Sequence, residues 1–303
     1  MSELTEFQQK MRDLFPEMSI CFEEPLSRHT SLRIGGPAEA MAFPKTKEEL
    51  ALLLKESSLW DTKPVILGAG TNVLAPDEGL RGLTVCLKDA LDGMERLDET
   101  SIRVMAGVTM ARSAVFAASQ GLSGLEFAHG IPGTIGGGVY MNAGAYGGDI
   151  GSVCKEVELM DRGGNIHVLS ASQMDFSYRH SCLESRDLIV VSAVFALQPG
   201  EEAAIRARMK ELQTKRIASQ PLNFPSAGSA FKRPQGGYAA ALIEEAGLKG
   251  FRVGDAAISE KHAGFAVNLG KATAEDMKAL LEEVSQRVEK SSGIRLEPEI
   301  RIW

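Results

Sequence analysis

His129-Gly130-Ile131-Pro132-Gly133-Thr134-Ile135-Gly136-Gly137-Gly138, continued by Asn142-Ala143-Gly144-Ala145-Tyr146-Gly147-Gly148, is the stretch whose reading decides the fold. Between Gly121 and Gly151, 11 of 31 residues lack a β-carbon, and ordering that many glycines costs backbone entropy. A buried loop packed against a flat, extended ligand gives a physical reason to accept the cost. A flexible surface loop is the bland alternative, and the apolar punctuation by Ile131, Ile135, Val139, Tyr140 and Met141 argues against it. The same tract lies in the longest charge-free run, Phe127 to Gly148. Eight of its 22 residues are glycine and Pro132, Asn142 and His129 interrupt it, so it reads as a glycine-rich loop system rather than a bilayer helix.

Working upstream, Lys63-Pro64 precedes a short apolar strand, Val65-Ile66-Leu67, that runs into Gly68-Ala69-Gly70-Thr71-Asn72. Glycines there let successive backbone N–H groups turn toward an anion, and Thr71 and Asn72 add side-chain donors. A plain strand-ending turn is the competing reading. The third glycine of the dinucleotide fingerprint and the Lys-Ser/Thr pair of the P-loop are both missing, so a phosphate held here belongs to another fold. Helices are expected from the N-terminus to Pro16, over Thr46 to Ser57 with Leu50, Leu53 and Leu54 on one face, and over Met110 to Ser119 behind a Thr109 cap. Leu83 to Leu87 and Ile102 to Ala106 read as strands.

Downstream, Cys154 to Met160 and Asn165 to Leu169 form a hairpin around Asp161-Arg162-Gly163-Gly164, and Leu188 to Leu197 is a strong strand. Glu201 to Arg216 reads as a charged linker helix after Pro199-Gly200. The loop Gln220 to Gly237 is rich in Pro, Ser and Gly. A last helix over Thr273 to Lys290 sets Met277, Leu280, Leu281, Val284 and Val288 on one face, stopped by Gly293, with Ile294 to Trp303 as a final strand.

The chain has 303 residues, enough for one large domain or several smaller ones, and it carries 40 acidic against 33 basic residues for a net charge of -7. That balance argues against a nucleic-acid or anionic-membrane partner, while leaving room for a local basic pocket. Four scattered cysteines without a CxxC pair read as reduced thiols of a cytoplasmic protein. Charges through Met1 to Pro16 are unlike a signal peptide. No HExxH motif, cysteine cluster or compact Asp/Glu/His set suggests a metal.

Seven segments in order carry a resemblance: Thr30-Ser31-Leu32-Arg33-Ile34-Gly35-Gly36, the Gly68 to Asn72 turn, Gly130 through Gly147, Phe176-Ser177-Tyr178-Arg179, Pro225 through Lys232, Ser259 through Phe265, and Leu296-Glu297-Pro298-Glu299-Ile300. Over nearly the whole chain the sequence resembles the UDP-N-acetylenolpyruvoylglucosamine reductases, in their shorter class. The resemblance implies an α+β fold: a vanillyl-alcohol-oxidase-type FAD-binding domain of two α/β lobes (1–82 and 83–206) and a C-terminal α+β substrate-binding domain (207–303), whose last strand returns to the N-terminal lobe. It implies non-covalent FAD, held by Arg33, by Gly68, Ala69, Gly70, Thr71 and Asn72, and by Gly130, Ile131, Pro132, Gly133, Thr134, Gly136, Gly137 and Asn142. NADPH is the implied reductant and a UDP-linked enolpyruvyl amino sugar the implied substrate, in synthesis of a peptidoglycan precursor.

By the same carry-over Arg179, Ser229 and Glu299 form the reaction centre. Hydride delivered to the vinyl carbon leaves an enolate conjugated to the carboxylate. Arg179 and protonated Glu299 would stabilise it, and Ser229 would give a proton to the adjacent carbon. Taken by residue type alone, these three are an ordinary arginine, a loop-capping serine and a strand-end glutamate. Lys215, Arg216 and Lys232 would face the diphosphate. Arg233 stands where the family usually has asparagine, and only eight residues separate Arg179 from Leu188, leaving no room for the longer class's lid with its tyrosine. His262 reads as structural. Two rival functions share parts of this pattern. One is another FAD oxidoreductase of the same fold acting on a sugar or hydroxy acid, in which a histidine placed like His129 can tether the flavin. The other is a non-enzymatic nucleotide-sugar binder.

Overall fold

The computed structural model describes residues 4–57 and 63–303; the first three residues of the expected opening helix lie outside them. The chain divides into two compact units that alternate along the sequence. The first comprises Met1–Glu23, Glu39–Ala69 and Arg81–Lys215; the second comprises Glu24–Ala38, Gly70–Leu80 and Arg216–Trp303.

In the first unit the helix Glu6–Leu14 opens with a capping box, Thr5 accepting from the Gln8 N–H while Gln8 returns to the Thr5 N–H. Helix Lys47–Ser57 buries Leu50, Leu53 and Leu54 completely, the face that the leucine spacing anticipates. It leads to Val65–Leu67, which pairs in parallel with Leu80–Cys86 in a four-stranded sheet. A five-stranded antiparallel sheet follows, in the order Ile166–Ser170, Cys154–Asp161, Leu188–Ala196, Ser101–Met105, Met94–Arg96. Its middle strand is the most apolar, and Ile189 through Phe195 are all buried, as a strand covered on both faces requires. Helix Met110–Ser119 begins where Thr109 accepts from the Arg112 N–H.

Two expectations are corrected. The glycine tract is not loop throughout: Ile135–Tyr140 is helical. Low intrinsic propensity is overridden by packing, because a β-carbon on Gly138 would stand 2.8 Å from the Met110 sulfur, so only a bare backbone lies this close. The final strand is also much shorter than Ile294 to Trp303. Arg301–Ile302 pairs in parallel with Val73–Leu74, and before it Pro298 makes a single antiparallel bridge to Phe231.

The second unit is built on a four-stranded antiparallel sheet, Ser226–Ser229, Phe265–Asn268, Ala256–Ile258, Arg252–Val253. Helix Ala274–Ser292 starts in a capping box at Thr273 and ends at Gly293 in the left-handed conformation. Met277, Leu280, Leu281, Val284 and Val288 are all buried in a core that also holds Leu32, Ile34 and Leu74 from the early segments of the chain. Each such side chain contributes about 1.5–3 kcal/mol relative to exposure.

Candidate functional site

In the first unit the strand Val65–Leu67 delivers Gly68 and Ala69 against Thr134, the residue before the glycine-tract helix. A β-carbon on Gly68 would stand 2.6 Å from Thr134 Oγ1, so the two segments approach this closely only because Gly68 has none. Thr134 is buried, and its Oγ1 has no hydrogen-bond partner among the described residues; the Nδ1 of His129 is in the same condition. A buried polar atom without a partner calls for an explanation, and a bound group is one. A narrow glycine-walled cradle containing an unsatisfied hydroxyl fits a flavin dinucleotide, which offers both flat apolar surface and polar edges. Gly130 through Gly133 join the short helical turn Glu126–Gly130 to Thr134, leading the chain into this cradle.

Arg179 sits in a tight turn. Ser177 and His180 exchange backbone hydrogen bonds, each 3.2 Å, leaving Tyr178 and Arg179 at the tip. Arg179 has φ 56°, a conformation in which turns ordinarily carry glycine, and its guanidinium carbon lies 5.0 Å from the Tyr178 ring centroid. His180 Nδ1 is 2.7 Å from Glu184, and its Nε2 is 3.7 Å from Asp175. The chain then makes a short helical turn at Cys182–Glu184 and enters the strand at Leu188, so no lid intervenes. Asn142 is also at positive φ, and both ends of its amide are engaged. Its Nδ2 donates to the Ser177 carbonyl at 2.9 Å, and its Oδ1 accepts from the Gly151 N–H at 2.8 Å.

The second unit holds Arg33, Gly70, Thr71, Asn72, Ser229 and Glu299. Arg33 is exposed at φ 56° in a turn where its N–H bonds to Thr30 and the Thr30 hydroxyl bonds to the Ile34 carbonyl. Ser31 donates its backbone N–H to the Gly70 carbonyl at 3.0 Å, joining this turn to the glycine turn. Asn72 reaches the other way. Its Nδ2 donates to the Glu299 carbonyl at 3.1 Å, while its own carbonyl accepts from the Arg301 N–H.

Ser229 and Glu299 are neighbours through the backbone. The Glu299 N–H donates to the Ala230 carbonyl at 2.9 Å, and Phe231 bridges Pro298. A register shift between Ser226 and Ser229, with Gly228 at φ 83°, forms a bulge that re-aims Ser229 at the end of its strand. Glu299 Oε2 is buried. The structure thus brings Asn72, Ser229 and Glu299 to one strand cluster, while Arg179 and Asn142 lie in the other unit.

The basic residues are less exclusive. Lys215 pairs with Glu211 and Lys232 with Glu297, so an anion would compete with carboxylates for both. Arg233 stacks 4.4 Å over the Tyr238 ring. Burial pushes the Cys86 thiol up to about 11 and the Cys154 thiol up to about 12. Among the described residues, no group of three or more His, Cys, Asp or Glu is arranged to hold a metal. Among them also, no helix is long and apolar enough to cross a membrane. Sequence reading missed the Asn142–Ser177 link and the Asn72–Glu299 link, since both join segments remote along the chain.

Two family models match. Residues 220–303 match the C-terminal domain of UDP-N-acetylenolpyruvoylglucosamine reductase, and residues 38–170 match an FAD-binding domain. The chain is 45% identical over 287 residues to the UDP-N-acetylenolpyruvoylglucosamine reductase of Lactococcus lactis subsp. cremoris (strain MG1363), covering 95% of each chain. It is 43% identical to that of Caldanaerobacter subterraneus subsp. tengcongensis, covering 97% of this chain and 96% of that one. The crystal structure of the Thermus caldophilus reductase superposes with a TM-score of 0.78 at 36% identity, covering 95% of this chain and 99% of that chain.

Proposed function

Since the chain belongs to the UDP-N-acetylenolpyruvoylglucosamine reductase family, we propose how its own residues carry out that reaction. The protein is an FAD-dependent oxidoreductase that reduces the enolpyruvyl ether of UDP-N-acetylglucosamine to UDP-N-acetylmuramate for cell-wall synthesis. Bound FAD supplies the hydride carrier. We assign NADPH as the reductant that loads it and the cytoplasm as the place of work. We assign FAD contacts in the first unit to Gly68, Ala69 and Thr134 with the Gly130 to Gly137 segment, and in the second to Arg33 and Gly70 to Asn72. FAD-binding lobes within 1–82 and 83–206 and substrate binding within 207–303 remain our proposed division.

The observation that supports the residue assignment is the bond from the Glu299 N–H to the carbonyl of Ala230, the residue after Ser229, with Asn72 bonded to the carbonyl of the same glutamate. As hydride arrives at the vinyl carbon, charge grows on the adjacent carbon and its carboxylate. Arg179 holds a permanent positive charge toward that carboxylate. Glu299, when protonated, donates to a developing enolate oxygen. Ser229 gives its hydroxyl proton to the carbanionic carbon, which completes the saturated lactyl ether. Lys215, Arg216 and Lys232 take the diphosphate, with Lys215 and Lys232 exchanging their carboxylate partners for it.

Stopped-flow absorbance on the flavin separates the two half-reactions. Ser229→Ala should slow substrate-driven reoxidation by about 10²–10⁴-fold while slowing reduction by NADPH far less. Reoxidation at the wild-type rate would remove the proton-donor assignment. Failure of the enolpyruvyl nucleotide sugar to reoxidise the reduced wild-type protein would remove the functional reading.

A further inference from the structure

The glycine segment does more than wall a cradle, because one of its side chains grips the turn that carries Arg179. Asn142 is 5% exposed, and both ends of its amide are engaged: Nδ2 on the Ser177 carbonyl at 2.9 Å, Oδ1 on the Gly151 N–H at 2.8 Å. The amide orientation follows from its partners, since a carbonyl needs a donor and an N–H needs an acceptor. Ser177 is the first residue of the four-residue turn, closed by mutual bonds with His180, and Arg179 occupies its strained third position at φ 56°. A second tie holds the far side, where the buried Ser181 hydroxyl donates to the Tyr140 carbonyl at 2.8 Å. Asn142 itself stands at φ 44°, so two left-handed residues face each other through one amide. Strained backbone of this kind persists where its surroundings over-determine it.

We propose that Asn142 is a positioning residue for Arg179: its amide donor fixes the Ser177 carbonyl and thereby aims the guanidinium. The proposal rests on the assignment of Arg179 to the reacting carboxylate. An amide spanning Ser177 and Gly151 couples the arginine's placement to the backbone of the glycine segment, so a cofactor ordering that segment also orders the turn.

Asn142→Asp tests the idea with almost no change of shape. Aspartate tolerates positive φ nearly as well as asparagine. When ionised it still accepts from Gly151 but sets a carboxylate oxygen against the Ser177 carbonyl; when protonated it donates to that carbonyl again. Burial raises a carboxyl above its usual value of about 3.9, which brings this exchange into a workable range. The titratable and charged groups around the turn are Asp175, Arg179, His180 and Glu184, with Asp149 and Tyr146 on the glycine side. They are common to both proteins and cancel in the ratio of variant to wild type.

At about pH 8 the flavin-loaded variant should lose tenfold or more in substrate-driven reoxidation beyond any loss in reduction by NADPH. The variant-to-wild-type ratio for reoxidation should climb as the pH falls toward about 5. Equal losses in both half-reactions, or a ratio flat with pH, would overturn the proposal. Should the aspartate variant fail to hold FAD, the same split is read in Ser181→Ala, where parallel losses are again the overturning result. Arg179→Gln is measured alongside. If it reoxidises at the wild-type rate, the assignment of Arg179 fails; if it is slow while Asn142→Asp is not, the positioning role fails.

Discussion

Positive φ at Arg33, Asn142 and Arg179 places three non-glycine residues of the proposed machinery in a conformation that costs of order 1 kcal/mol or more each. That strain was invisible in the sequence, since nothing in the letters Tyr178-Arg179 announces a left-handed arginine. The reaction-centre residues were legible only through their family motifs; by type alone each reads as ordinary. Glu299→Gln keeps the backbone bonds to Ala230 and Asn72 and removes only the carboxyl. Reoxidation by substrate should then fall by about 10²–10³-fold with FAD still bound, measured by stopped-flow absorbance. A second residue-scale outcome concerns the thiols. Cys21 is exposed, whereas Cys86, Cys154 and Cys182 are buried with thiols raised by desolvation. At about pH 8 one thiol should react rapidly with a disulfide reagent in the native protein and four after denaturation. Rapid reaction of a second thiol would contradict the burial.

At the scale of elements, periodicity and caps read well because they are local. Thr109, Thr273 and Gly293 sit where their chemistry demands, and Leu50, Leu53 and Leu54 of Lys47–Ser57 face the core while Leu52 is exposed. What failed was context. The helix at Ile135–Tyr140 forms against residue propensity because close packing rewards a backbone without side chains, and the expected last strand is broken up, with one bridge at Pro298 and a two-residue strand at Arg301–Ile302. The bulge before Ser229 is the element most open to test. A β-carbon on Gly228 would meet nothing within 4 Å, yet φ is 83°. Gly228→Ala should therefore cost about 1–2 kcal/mol from backbone conformation alone, read by denaturant unfolding. A neutral result would show that the bulge relaxes at no cost.

For the whole molecule, composition and charge limited the classes of function but could not name a cofactor; the two glycine loops and the lack of a dinucleotide fingerprint did that only together with the family motifs. In the proposed reading FAD satisfies the Thr134 hydroxyl, which has no partner among the described residues, so its binding adds to stability. At FAD one hundred times its dissociation constant, linkage adds about 2.7 kcal/mol. The midpoint of thermal unfolding should rise with FAD concentration and drop when the flavin is stripped. A midpoint independent of FAD would mean that the cradle does not bind it.

The alternation of the two units along the chain has a consequence for biogenesis. Gly70 to Leu80 belongs with Arg216 to Trp303, and the Asn72 carbonyl waits for the N–H of Arg301. A ribosome making roughly 5–20 residues per second delivers that partner about 10–45 s after Asn72 itself. Throughout that interval Leu32, Ile34 and Leu74 have emerged without the core that finally covers them. Arg301 thus closes a segment made about 230 residues earlier, and a chain cut between the two leaves its second unit unfinished.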